Sequence, residues 1–103
     1  MNSPHISPDD PLLTEADINR IRWRCRRGLL ENDIFIARFF ARYATQLTQA
    51  DAVALLTLMD LSDNDLLDLN LGRKTLVQVA PALDNARSNR LMSWLKAAPD
   101  SLE

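Results

Sequence analysis

The sequence predicts an all-α protein, a small compact five-helix bundle, and three observations support this fold class. First, the 103 residues include only two glycines, and no alternation of apolar and polar residues extends beyond the short segment 75–79. Second, three capping-box signatures each precede an apolar run. Third, apolar residues recur at spacings of three and four, which places them on one face of a helix. A chain of this length is expected to form one domain.

The prolines and the first capping box define the predicted domain organisation. Residues 1–13 contain three of the five prolines and are predicted to form a flexible N-terminal tail. Residues 14–97 are predicted to form the helical domain, and residues 98–103 a C-terminal tail.

The first helix is predicted to run from Glu15 to Arg27. It starts at the capping box between Thr14 and Asp17, and Gly28 ends it by adopting the left-handed conformation of a helix C-cap. Its core face consists of Ile18, Ile21 and Cys25.

The second helix is predicted to run from Leu30 to Gln46. Its core face consists of Ile36, Phe40, Tyr43 and Leu47. A third helix follows the capping box between Thr48 and Asp51. Its predicted inward residues are Val53, Leu56 and Met59.

A short fourth helix is predicted between the capping box at Ser62 and Gly72, which ends it. Its inward residues are Leu66 and Leu69. The last helix is predicted to run from the basic turn at Lys74 to about Leu95. Pro81 is its weak point, because proline is accepted in a first turn but disrupts a helix interior.

The composition argues against an enzyme or a metal protein. The only histidine, His5, lies in the predicted tail, so a serine or cysteine nucleophile has no ordered base. One cysteine and one histidine give no zinc-ligand spacing, and two glycines cannot build a phosphate-binding loop. Cys25 falls on a core face and is expected to pack as a small hydrophobic residue.

The cysteine content and hydropathy predict a cytoplasmic protein. A single cysteine allows no internal disulfide, which suits a reducing compartment. No segment approaches the roughly 20 apolar residues of a membrane helix, so no membrane partner is expected. The first residues lack a basic region followed by an apolar run and therefore do not resemble a secretory signal.

An arginine-rich segment at residues 21–28 is the strongest functional signal. Guanidinium groups form paired hydrogen bonds with carboxylates and phosphates, and tryptophan with arginine is enriched at the energetic centres of protein interfaces. Trp23 is predicted to face outward beside Arg27. Gly28 would let a partner's backbone approach closely, and Glu31 follows four residues after Arg27. The segment therefore predicts a protein-recognition surface.

The same arginines allow an alternative, nucleic-acid binding with Trp23 as a stacking residue. Seven of the twelve basic residues fall between positions 20 and 42. The formal net charge of the chain is nevertheless −2, whereas nucleic-acid-binding domains are usually basic. No nucleic-acid partner is therefore expected.

Two segments resemble the succinate dehydrogenase assembly factors, which are the FAD assembly factors of bacteria and mitochondria. Residues 22–31 read Arg-Trp-Arg-Cys-Arg-Arg-Gly-Leu-Leu-Glu, with Asp33 following, and contain the Arg-Gly-x-x-Glu motif of that family. Residues 58–66 resemble its second, acidic and leucine-containing segment. One departure is Asn32, which stands where the family usually has an apolar residue.

The resemblance implies a five-helix bundle that promotes covalent attachment of FAD to a flavoprotein and is not itself a redox enzyme. It assigns partner binding to the motif residues and their neighbours: Arg27, Gly28, Glu31, Trp23, Arg24 and Asp33. The implied partner is the flavoprotein subunit of succinate dehydrogenase, and of fumarate reductase in bacteria. FAD then belongs to that client, no cofactor is bound stably by this chain, and a monomer is expected in the absence of client. An alternative is an antitoxin or regulatory role, because members of the family have also carried an antitoxin label.

Overall fold

The structure, a computed structural model, describes residues 10–26 and 28–97. It contains six α-helices: α1 (Glu15–Arg24), α2 (Leu30–Tyr43), α3 (Gln49–Leu58), α4 (Asp63–Asn70), α5 (Leu76–Val79) and α6 (Ala86–Ala97). Single 3₁₀ turns follow α2 at Ala44–Gln46 and α5 at Pro81–Leu83. The all-α prediction is confirmed. None of these helices combines the length and apolar character that crossing a bilayer requires.

Side-chain caps begin the helices at the predicted residues. Two complete capping boxes pair Thr14 with Asp17 and Thr48 with Asp51. The Ser62 hydroxyl accepts a hydrogen bond of 3.1 Å from the Asp65 N–H at the start of α4. At α5, the Gln78 side chain accepts the Thr75 N–H at 2.8 Å, a cap that the sequence analysis missed. Each cap satisfies a backbone group that has no partner within its own helix.

One apolar core joins the six helices. Phe39 and Phe40 lie at its centre in an edge-to-face arrangement, with ring centroids 5.2 Å apart. At the end of α2, Tyr43 stacks on Trp94 of α6 with centroids 4.5 Å apart. The other buried apolar residues are Leu13, Ile21, Cys25, Ile36, Leu47, Ala52, Leu55, Leu58, Met59, Leu66, Leu69, Leu76, Leu91, Met92 and Leu95. Burial of this apolar surface is the main driving force for folding.

The predicted core faces are confirmed for α1, α2 and α4, and the face predicted for α3 is wrong at one residue. Val53 is 68% exposed. Because α3 begins with Asp51 buried, its inward face passes through Ala52, Leu55 and Met59. Val53 lies one residue from that face, which is about 100° around the helix. Leu56, also predicted to face inward, is partly buried against the core.

The first helix ends at Arg24, three residues earlier than predicted. The Cys25 N–H still donates to the Ile21 carbonyl four residues back at 2.9 Å, but the Arg26 N–H donates to the Trp23 carbonyl three residues back at 3.3 Å, so the helix ends in a tighter turn. Gly28 has a φ of +94°, but it lies in the following loop and does not serve as the helix cap.

The predicted last helix is divided in two at Pro81. Ala80 has φ −148° and ψ 77°, outside the helical region, because the proline ring disfavours a helical conformation at the preceding residue. Pro81 then occupies the first position of a 3₁₀ turn, where its missing N–H is not needed. The bundle therefore has six α-helices in the described residues, and the one added to the predicted five is the single turn α5.

Residues 10–13, which the sequence analysis placed in the N-terminal tail, contact the helical domain. The Leu13 N–H donates to the Leu47 carbonyl and the Gln49 N–H to the Pro11 carbonyl, both at 2.9 Å. These bonds pair the segment antiparallel to the chain entering α3, and Leu13 is buried. Residues 1–9 and 98–103, the rest of the predicted tails, lie outside the described residues.

A buried carboxylate connects α3 to α6. Asp51 is 1% exposed, and its side chain accepts hydrogen bonds from the Thr48 N–H and from the guanidinium groups of Arg87, at 2.6 Å, and Arg90. Arg87 also lies 3.6 Å from the Asp10 carboxylate, which itself accepts the N–H of Ala50. The cluster therefore connects three parts of the chain that are distant in sequence.

Replacing Asp51 with Asn is expected to lower the free energy of unfolding by about 2–3 kcal/mol, because two arginines lose their buried anion while remaining partly solvated. Chemical denaturation followed by circular dichroism measures this change. Asp60→Asn, at an exposed position, is the matched control and should change stability by less than about 0.5 kcal/mol. Equal stability of the two variants would contradict the role assigned to Asp51.

Acid is expected to weaken the fold through Asp10 and Asp17. The Ala50 N–H lowers the pKa of Asp10, and the Thr14 N–H lowers the pKa of Asp17. A lowered pKa in the folded state stabilises the protein above the pKa of the unfolded chain, about 3.9, and this contribution is lost as the pH falls through the lowered value.

The free energy of unfolding should therefore decrease as the pH is lowered below about 4. Denaturant titrations at pH 7, 4 and 3 measure the decrease. The variant Asp17→Asn should be less stable than the wild type at pH 7 and lose less stability on acidification. A variant with the full acid sensitivity of the wild type would rule out a contribution from Asp17.

Candidate partner-binding site

The arginine-rich segment lies at the end of α1 and in the loop that leads to α2. Trp23 is 70% exposed, and the guanidinium group of Arg26 lies 5.1 Å from the centroid of its ring. This cation–π contact holds the indole on the surface beside a positive charge. By contrast, Arg22 lies over the buried ring of Phe40 at 5.6 Å, so its side chain covers the core.

Gly28 and Asp33 shape the loop. The Gly28 N–H donates to the Asp33 carboxylate at 3.1 Å, so the loop folds back onto the first turn of α2. A negative charge at this end of a helix is also favoured by the helix dipole. A Cβ added at Gly28 would have no atom within 4 Å, so there is space for a larger side chain. Glycine is favoured here because of its positive φ.

Glu31 is exposed on the first turn of α2 and forms no hydrogen bond or ion pair with any described residue. Arg27 lies outside the described residues, so its predicted proximity to Glu31 stays a prediction. Of the six predicted site residues, the structure directly joins Gly28 and Asp33. Trp23 and Arg24 precede that loop on α1, and Glu31 follows it on α2.

Arg24 borders a groove that the sequence analysis missed. The groove lies between the end of α1 and α3, encloses about 480 Å³, and is lined by Arg24, Val53, Leu56, Thr57, Met59 and Asp60. It was missed because Val53 was predicted to face the core. Because Val53 directly follows Ala52, which faces the core, its side chain points about 100° away from the core face, and this spacing would have indicated an exposed valine.

Asn32 serves a structural purpose that explains its departure from an apolar residue. It is fully buried, and its side-chain amide donates to the Asp63 carbonyl at 3.1 Å. Its side-chain oxygen accepts from the Asn70 amide, also at 3.1 Å. These bonds attach the start of α2 to both ends of α4.

The groups that this surface exposes suit recognition of another protein. They are guanidinium, carboxylate and indole groups, which form charge-assisted hydrogen bonds and contact apolar surface. In the described part of the chain, no three side chains of His, Cys, Asp or Glu come together as a group suited to a metal ion. Cys25 is fully buried, as predicted for a packed residue.

Replacing Gly28 with Ala is expected to lower the free energy of unfolding by about 1–2 kcal/mol, because alanine is strained at positive φ. Thermal or urea denaturation measures the change. Gly28→Asn should cost less, since asparagine tolerates the left-handed region better than other non-glycine residues. If both variants had the stability of the wild type, the positive φ at residue 28 would not require glycine.

Comparison with known proteins identifies the family. A family model described as flavinator of succinate dehydrogenase matches residues 19–99. The FAD assembly factor SdhE of Ralstonia nicotianae is 51% identical over 78 residues, which cover 76% of this chain and 79% of that protein. No solved structure gives a significant match.

Two further relatives match over shorter segments, and both are FAD assembly factors SdhE. The Coxiella burnetii protein is 41% identical over 56 residues, covering 54% of this chain and 68% of the relative. The Aliivibrio fischeri protein is 40% identical over 53 residues, covering 52% and 62%. The family model covers well over half of the chain and includes the whole Arg-Gly-x-x-Glu motif. This chain therefore belongs to the family of flavinators of succinate dehydrogenase, which are FAD assembly factors.

Proposed function

We propose that this chain promotes covalent attachment of FAD to the flavoprotein subunit of succinate dehydrogenase by binding that subunit through the Arg-Gly-x-x-Glu surface. The observation that carries the proposal is the family match across residues 19–99, which contains this surface. The exposure of Trp23 and Glu31 on either side of the Gly28 loop supports it. FAD belongs to the client in this proposal, and the chain supplies no redox centre.

The proposed contact residues are Trp23, Arg24, Arg27, Gly28, Glu31 and Asp33. Asp33 acts by holding the loop, since its carboxylate accepts the Gly28 N–H. Glu31 is exposed on the first turn of α2 and is available to pair with a cationic or N–H group of the client. A loop held before binding loses less conformational entropy on association, which favours affinity.

The proposed action of the chain is to change the population of client conformers. Attachment requires a client side chain to be held close to the flavin carbon with which it forms a bond, and such a reaction gains most from orientation and from stabilisation of developing charge. The client's own groups supply both. By binding one conformer more tightly than the others, the assembly factor increases the fraction of client molecules in which these groups are correctly placed.

The proposal extends to the partner range and setting of the protein. The fumarate reductase flavoprotein is a second proposed client, as the resemblance of residues 22–31 to the FAD assembly factors implies. The chain is proposed to act in the cytoplasm and as a monomer when no client is present. Size measurements of the purified chain, alone and with client, test the last point.

In-gel flavin fluorescence of the denatured succinate dehydrogenase flavoprotein tests the function. Wild-type protein should give covalent flavin, and omission of the protein should abolish most of it. Glu31→Ala should lower the yield by about tenfold, because removal of a central interface residue weakens client binding by that order. The melting temperature of the variant should stay within about 3 °C of the wild type, as expected for an exposed residue.

The matched control is Glu15→Ala, which removes another exposed glutamate, in the first turn of α1, and should leave the flavin yield unchanged. Arg27→Ala tests the other charged residue of the motif in the same assay. Equal fluorescence with and without the protein would exclude flavinylation of this client. A pull-down for a small toxin partner would then test the antitoxin alternative.

A further inference from the structure

The groove beside Arg24 combines opposite charges with an apolar floor. Arg24 enters it from α1, and Asp60 borders it just beyond the end of α3. The surface of α3 between them includes Val53, which is 68% exposed, and Leu56, which is partly buried. The Val53 side chain is exposed within a concave surface and is therefore available to contact a partner.

The two charges in the groove do not neutralise each other. Neither Arg24 nor Asp60 forms a side-chain hydrogen bond or ion pair with any of the described residues, so no ion pair of 4.0 Å or less joins them. Elsewhere in the described chain, acidic residues near a cation do pair, as Asp68 does with Arg73 at 2.9 Å. The groove therefore presents a positive and a negative group at separate positions, and each remains available to a ligand.

The groove is continuous with the proposed client-binding surface. Arg24 directly follows Trp23 on α1, four residues before Gly28. A stable protein interface usually takes about 20–30 residues from each partner, roughly 800 Å² per side. The motif and its immediate neighbours supply only a small part of this, so the client must also cover adjacent surface. The groove is the adjacent concave surface that holds both apolar and charged groups.

We propose that the groove between α1 and α3 binds a segment of the flavoprotein client in which an apolar side chain lies between an acidic and a basic residue. The acidic residue pairs with the Arg24 guanidinium, whose geometry allows two parallel hydrogen bonds to a carboxylate. The apolar side chain contacts Val53 and Leu56, and the basic residue pairs with Asp60. This inference rests on the proposed function, since it assigns a second contact region to the same client.

Substitutions at Val53 and Asp60 test the groove without altering the motif. The dissociation constant is measured by calorimetry between the full chain and the succinate dehydrogenase flavoprotein subunit of the same organism, produced without its assembly factor. Val53→Glu should weaken binding by about tenfold, because it places an unpaired charge against an apolar contact. Asp60→Lys should weaken binding several-fold and change the association rate most, as expected for a charge at an interface edge.

Val77→Glu is the matched control, since it makes the same change at a valine of α5 that is 52% exposed and does not line the groove. Its dissociation constant should stay within about twofold of the wild type, as for most substitutions outside an interface. Circular dichroism verifies that each variant is folded. Val53→Ser, which introduces no charge, provides a second groove variant and should also weaken binding.

The outcomes separate this inference from the proposed function. If Glu31→Ala weakens binding while both Val53 variants bind as the wild type does, the groove inference is overturned and the proposed function stands. If wild-type protein does not bind the flavoprotein at all, both are overturned. If Val53→Glu instead converts a dimer of this chain to a monomer without changing client binding, the occupant is a second copy and the inference is wrong.

Discussion

The arrangement of the helices depends on one buried anion, the carboxylate of Asp51. It caps its own helix and also binds Arg87 and Arg90 from α6. A buried ion pair adds little net stability over an apolar contact, because both charges lose hydration. Its hydrogen bonds are directional, however, and an unpaired carboxylate at this depth is strongly unfavourable. Packings that separate α3 from α6 are therefore disfavoured, and the Leu-rich core has one arrangement that satisfies its charges.

A second set of directional bonds positions the motif on this scaffold. Glu31 directly precedes Asn32, which is buried and bonded to α4, and Asp33, which holds the Gly28 loop. The two residues that follow the exposed glutamate are thus held by side-chain hydrogen bonds. An apolar residue at position 32 would pack α2 against α4 without specifying its position along the helix, whereas two amide groups specify it. The departure from the family pattern at Asn32 therefore leaves the motif well anchored.

Features set by neighbouring residues were predictable from the sequence, and features set by distant residues were not. The helix starts at Thr14, Thr48 and Ser62 depend on groups three residues apart, and all three were predicted. The charged contact between Asp51 and Arg87 joins residues 36 apart, and no local pattern indicates it. The wrong orientation of Val53 has the same origin, because burial of Asp51 sets the rotation of α3. The motif residues could be proposed as contact residues from the sequence alone, whereas the groove could not, because its shape depends on the rotation of α3.

The distribution of polar bonds matches what a transient partner requires. Bonds that define the fold are buried or close to the core, as with Asp51 and Asn32, whereas Arg24, Glu31 and Asp60 keep their charges exposed and unpaired with described residues. Exposed complementary charges increase association rates, and a modest apolar contact limits how long the complex lasts. In the proposed function, this chain binds the client before its FAD is attached and leaves afterwards. In the proposed complex the buried bonds keep the bundle unchanged, while the exposed charges of Arg24, Glu31 and Asp60 contact the client, so binding needs no refolding of this chain.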